Sequence, residues 1–349
     1  MRNGDMLRAG LLLLFAVTGL LSVCHAATGI TAEPAASELG PQHIAVVIND
    51  ADPLSRSIGE YYIAKRGLPA ANVIHVNFKP GITNMSPKLF KKLKASVDKQ
   101  TPAAVQAYAL AWTVPYRTGC MSITTAFAAG YSEDFCARGC KPTRRSPYFN
   151  SDIRMPFTEL GWRPAMMLAG EDLASVKQLI DRGLAADGSK PEGTAYLLST
   201  SDKARNGRAR FYPGIQMMQS SRFNIDILRS NTLKNRTDVM FYFTGKAVVD
   251  GIDTNHYRPG AIADHLTSTG GKLTDSKQMS SLRWLAAGAT GSYGSVVEPC
   301  SFVQKFPRPN IVIERYLNGE TLLETYWKSV EWPGQGVFIG EPLAAPFRE

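Results

Sequence analysis

Continuous apolar runs alternate with amphipathic stretches along this chain, and that alternation constrains the fold more than any other feature. HIAVVI (43–48) reads as a strand, SRSIGEYYIAKRG (55–67) carries apolar residues at helical spacing and stops at Gly67, and NVIHVNF (72–78) is a strand again. Strands apolar on both faces must be covered on both faces, and two strands joined through a helix pair in parallel. The unit recurs as helix SPKLFKKLKASVD (86–98) and strand AVQAYALAWTV (104–114), then as strand RPAMMLAG, helix DLASVKQLIDRGLAAD and strand TAYLLS. The second half adds strands NIDIL, DVMFYF and GAIADHLTS, helix SSLRWLAAG, strand ATGSYGSVV, helix TLLETYWKSV and strand GVFIG. The expected fold is α/β, a mostly parallel central sheet with helices on both faces. It is expected to occupy residues 41–349 as a single domain, or as two packed lobes at 41–210 and 211–349.

Ahead of this lies a different kind of segment. Arg2 and Arg8, the apolar AGLLLLFAVTGLLSV and the small-residue context CHA predict a secretory signal over residues 1–26, followed by a small, polar, mobile leader over 27–40. The apolar run is short for a bilayer and no second one follows, so the mature chain is expected to be exported, periplasmic or extracellular, without a transmembrane segment. Cys24 after LSV suggests a lipoprotein signal, but Val23 is bulky where a small residue is needed.

The full-chain charge of +9 is compatible with an anionic partner. Its basic residues are nevertheless scattered, in KKLK (91–94), KPTRR (141–145) and KARNGRAR (203–210), and each run reads better as a solvated face. No nucleic-acid motif is present; an anionic or peptide ligand is the expected kind of partner, and no cofactor is expected. Cys120, Cys136, Cys140 and Cys300 remain after cleavage, and export makes disulfides their first reading, with at least one bridge among Cys120, Cys136 and Cys140. Zinc is disfavoured, because the C-x3-C spacing lacks a second pair and a nearby histidine. No metal is expected.

In a parallel sheet, ligands gather outside the carboxyl ends of the strands. Those ends carry polar clusters that place Asp50, Asp52, Tyr116, Asp202, Lys246, Ser268 and Glu298 on one rim, with Arg205 in the basic segment after TAYLLS. Asp52 also suits the capping of the helix that follows it, and Asp250 with Asp253 forms a second carboxylate pair. For nucleophilic catalysis the candidates are Ser268, in TSTGG, and Cys300, each needing His256 or His265 as base. Nothing in the spacing fixes such a dyad, and a bridged Cys300 is the stronger reading. GATGSYGSV falls one residue short of a nucleophile elbow.

Several stretches together resemble an uncharacterised family of exported bacterial proteins: VVINDADPLSRSIGEYYIAKRGLPAANVIHV, TVPYR, LIDRGLAADGSKPEGTAYLLSTSDKARNGRARF, RPGAIADHLTSTGG, AAGATGSYGSVVEPC and IGEPLAAPF. The resemblance spans nearly all of 43–347, and that family has no established activity to carry over. More distantly, the order of VMFYFTG, GAIADHLTSTGG, SSLRWLAAGATGSYGSV and IGEPL is similar to that of gingipain-type cysteine peptidases. In those, which have a caspase-like fold, one strand ends in His-Gly, the next in the nucleophilic Cys, and a Gly-Asp-Pro-Leu segment closes the domain. Here the corresponding positions are Thr244-Gly245 and Thr267-Ser268-Thr269. The resemblance thus implies a caspase-like scaffold lacking the Cys/His dyad, a pseudoenzyme acting in binding; the alternative is an active hydrolase using Ser268 or Cys300 with His256 or His265.

Overall fold

The computed structural model describes residues 39–137, 140–218 and 223–349. The expected signal segment, and the leader as far as residue 38, lie outside the described residues. Leu39 and Gly40, assigned to the leader from sequence, are buried instead.

Ten strands form one sheet: β1 (Ile44–Asn49), β2 (Val73–Val76), β4 (Ala107–Leu110), β7 (Ala165–Met167), β8 (Gly193–Ser199), β9 (Phe223–Arg229), β10 (Val239–Thr244), β11 (Tyr257–His265), β12 (Gly291–Ser295) and β13 (Gly336–Gly340). Their order is β2-β1-β4-β7-β13-β12-β11-β10-β8-β9. A small second sheet combines β3 (Asn84–Met85), β5 (Arg117–Thr118) and β6 (Met121–Ser122). The helices are α1 (Pro53–Arg66), α2 (Pro87–Gln100), α3 (Ile123–Ala129), α4 (Pro156–Leu160), α5 (Leu173–Ala186), α6 (Tyr212–Ile215), α7 (Leu282–Ala286), α8 (Pro309–Leu317) and α9 (Leu322–Ser329).

The long strands are buried along most of their length, as their continuous apolar composition requires. From β1 the chain steps through α1 to β2 on one side, then through α2 to β4 on the other, which places α1 and α2 on opposite faces of the sheet. The longer helices are bounded by local chemistry. Asp52 accepts the Leu54 amide at 3.0 Å to start α1, and Gly67, at φ 63°, ends it in a left-handed turn that a side chain would resist. Asp172 with Ser175, and Thr321 with Glu324, form capping boxes on α5 and α9.

Two expectations need correction. The stretch between Cys120 and Cys136, to which the alternating pattern assigns no strand or helix, contains α3, in which all residues but Ala129 are buried. The last strand also runs antiparallel to its neighbour, with Gly291↔Gly340 through Ser295↔Gly336 in register. The reason is α8, which the sequence reading passed over. Two helices, not one, join β12 to β13. Arg308 at the start of α8 hydrogen-bonds Ser329 at the end of α9, so the pair forms a hairpin that returns the chain to the edge it left.

One bridge pair of parallel type, Ile339↔Met167, joins β13 to β7. A single pair does not set strand direction; the connections do. Helices α1 and α5 lie side by side and run the same way, Tyr61 and Lys65 meeting Asp181, and Arg66 meeting Asp187. Each descends from the carboxyl end of its preceding strand, so the carboxyl ends of β1, β4 and β7 face the same edge as those of β8, β10, β11 and β12. Tyr116, after β4, accordingly donates to Asp275, after β11.

Candidate functional site

The carboxyl edge is built around a buried arginine. Arg208, in a turn after β8, donates to the Asp264 carboxylate of β11 and, at 2.8 Å, to the Thr244 carbonyl at the end of β10. Arg208 and Asp264 are both buried, and burial raises the Asp264 pKa against the pull of Arg208. A charged residue inside the apolar run GAIADHL was the signal that could have revealed this pair, because a buried carboxylate requires a partner. Which arginine of KARNGRAR supplies it was not visible.

Above this pair, one network links three strand ends. Arg205 donates to Asp202 at 2.9 Å and to the Thr267 hydroxyl at 3.1 Å; Thr267 donates to the Gln278 side-chain oxygen at 2.8 Å, which also accepts the Thr269 amide at 2.9 Å. Gly245 lies between these elements: a Cβ there would stand 2.0 Å from the Arg205 carbonyl, so only glycine permits the approach. Thr200 donates to the Gly245 carbonyl at 2.8 Å. Asp202, Arg205 and the segment of Ser268 are therefore brought together, with Gln278 as a member the sequence did not suggest.

His265 stands at the end of β11 and is 1% exposed. Its Nδ1 accepts from the Trp284 indole at 2.9 Å, which leaves Nε2 to donate to the Met279 carbonyl at 3.1 Å. Burial pushes its pKa down to about 3, so the imidazole is neutral at ordinary pH. His256 is exposed and precedes β11, whereas Ser268 follows it. A nine-residue strand separates the two, a span of about 30 Å.

Cys300 is bridged to Cys140, and Cys120 to Cys136, with Cα separations of 5.2 and 5.4 Å. Cys120, Glu133 and Cys136 place three possible metal ligands within 4.8 Å, but the two sulfurs are spent on each other. Glu298 accepts the Cys300 amide at 2.8 Å. Lys305 is buried below, donating to the Lys141 carbonyl at 3.2 Å, and burial lowers its pKa to about 8.

The other rim candidates do not join the network. Asp50 pairs with His75 at 2.7 Å on the exposed surface, and Asp52 is the cap of α1. Tyr116 is fully buried, its pKa raised to about 12 by burial and by Asp275. Lys246 is half-buried and makes no hydrogen bond within the described residues. Beside it at the outer strands, Ser199, Thr200, Ser201, Arg229, Ser230 and Asn231 line a polar pocket of about 310 Å³ at the ends of β8 and β9.

The sequence matches no family model and no curated protein. Among solved structures the chain is similar to a complex of the pro- and mature domains of Porphyromonas gingivalis RgpB, at TM-score 0.51 and 8% identity, over 87% of this chain and 79% of that one. A second solved structure, described as a protease, aligns at TM-score 0.44 and 10% identity over 88% of this chain and 79% of that one. The fold is thus a gingipain-like, peptidase-type α/β scaffold. Among the described residues, no helix is long and apolar enough to cross a membrane.

Proposed function

We propose that this is an exported binding protein that uses the carboxyl edge of a peptidase-like scaffold to hold an anionic or peptide ligand, without a Cys/His dyad. His265 carries the reading. It is the histidine nearest Ser268 in sequence, yet both its nitrogens are committed in a buried, uncharged ring, so it has no lone pair to offer a hydroxyl. The bridging of Cys300 removes the remaining thiolate candidate. Two disulfides also favour an oxidising compartment, in keeping with export. What the edge leaves open is Lys246 and the polar pocket containing Arg229, which suit an acidic group.

A broad hydrolase and peptidase screen of the protein, run beside Ser268→Ala and Cys300→Ala, tests this. The expected result is no turnover above background in any of the three, with capture of acidic peptides weakened by Lys246→Ala and Arg229→Ala. Turnover by the parent protein that vanishes in Ser268→Ala would overturn the binding reading.

A further inference from the structure

The opposite, amino edge of the sheet holds a pocket of about 430 Å³ just ahead of β4 and β7, lined by Lys94 and Asp98 of α2, Thr101, Phe157 of α4 and Arg163, among others. Lys94 belongs to the KKLK run that composition alone assigned to a solvated face. In the fold its side chain is only 16% exposed.

Arg163 is the unusual member. It is 7% exposed, its Nε donates to the Val105 carbonyl at 2.9 Å, and its guanidinium carbon lies 3.2 Å from the centroid of the Phe157 ring. The carboxylate paired with it is Asp98, 3.9 Å from Nη1 and beyond hydrogen-bond range. The same Asp98 oxygen already receives the Lys94 ammonium at 2.5 Å and the Tyr108 hydroxyl at 3.3 Å. Among the described residues the outer nitrogens of Arg163 make no hydrogen bond, and they are not sealed in the core but face the open pocket, where a ligand can take the place of water.

We propose that this pocket binds a small monocarboxylate with an apolar body. The guanidinium offers two parallel N–H donors at the spacing of a carboxylate, and Lys94 adds a point charge. Phe157, Ala128 and Ala103 supply an apolar wall. Lys94, Arg163 and Asp98 sum to a single positive charge, which a monoanion neutralises; a doubly charged phosphate would leave excess negative charge beside Asp98. Burial and the neighbouring Arg163 pull the Lys94 pKa down despite Asp98, and an arriving anion relieves that cost. The site stands on the edge opposite Ser268 and Lys246, and it does not depend on what that edge binds.

Titrating the purified protein with benzoate, followed by calorimetry and by NMR, tests the proposal. Saturable binding is expected, weakened about tenfold by Lys94→Met, the scale of one charge-assisted hydrogen bond, and left unchanged by Lys88→Ala, an exposed lysine of α2 that does not line the pocket. Asp98→Asn should tighten binding, since it removes the anion that competes for Arg163 and Lys94. Arg163→Met should abolish binding. Because that buried change risks the fold, the two less buried variants carry the decision, with thermal melts confirming that each is folded. No saturation in folded parent and Asp98→Asn proteins would overturn the site, and so would weaker binding by Asp98→Asn. Inorganic phosphate bound more tightly than benzoate would overturn the monocarboxylate assignment.

Discussion

The two edges of the sheet treat their arginines in opposite ways. At the carboxyl edge, where the fold analogy looks for chemistry, Arg205 is shared between Asp202 and Thr267, Arg208 is locked onto Asp264 and Thr244, and His265 spends both ring nitrogens on neighbours. At the amino edge Arg163 is as buried as a core residue, yet its outer nitrogens stay open to a cavity. Polar groups at strand ends are thus no evidence of a site in themselves. A missing partner is not evidence either: Arg208 Nε, Asp264 Oδ2 and Thr244 Oγ1 are buried without one among the described residues, yet no ligand can reach them, whereas the outer nitrogens of Arg163 face an open cavity.

The strongest way to break this comparison is to loosen the carboxyl edge. Replacing Cys140 and Cys300 together by Ser opens a loop of 160 residues and should cost about 5 kcal/mol in chain-entropy terms, against about 3 kcal/mol for the 16-residue Cys120–Cys136 loop. Denaturant unfolding of the two double variants reads the difference, and equal losses would show that the long bridge stabilises the fold no more than the short one. Next in size is Arg208→Met. It strands Asp264 in the core and should cost about 3–5 kcal/mol, whereas Asp98→Asn at the amino edge, where the carboxylate of the Lys94 pair is 43% exposed, should cost about 1 kcal/mol. Comparable losses from both would mean that the two edges are built alike.

How much of this could be read beforehand depended on which physical signal the residues carry. HIAVVI and DVMFYF announce strands because burial on both faces demands unbroken apolar side chains, and the cap Asp52 announces α1. The direction of β13 was hidden, because it hinges on whether one helix or two precede it, and NIVIERYL is as apolar as a strand. The rim was read as a list of strand ends, which placed Asp202, Arg205 and Ser268 in one neighbourhood but could not say that Arg205 faces Thr267. Gln278 and Trp284 complete the carboxyl edge from the segment that leads into α7 and from α7 itself. Their contacts depend on how that segment folds back over the strand ends, and no spacing in the sequence encodes it. Arg163 was passed over because it opens an apolar strand, RPAMMLAG, where it looks like a flanking charge.

The last expected effect concerns pH. His265 is held near a pKa of about 3 by burial, while in the unfolded chain it has the ordinary histidine value of about 6.5. Above that value neither state is protonated at this ring and the residue has no influence on pH dependence. Between the two values the unfolded chain binds a proton that the folded one refuses, so stability must fall as pH falls through this window. The loss reaches roughly 2 kcal/mol near pH 5 if this ring acts alone. Denaturant unfolding at pH 7.5 and near pH 5, for the parent and for His265→Gln, isolates the contribution, because the variant sacrifices the Trp284 and Met279 contacts equally at both values while removing the titrating group. The difference between the two proteins should therefore narrow on acidification. If it stays constant, His265 accepts a proton in the folded state, its lone pair is available, and the case for a carboxyl edge without a catalytic base loses its central observation.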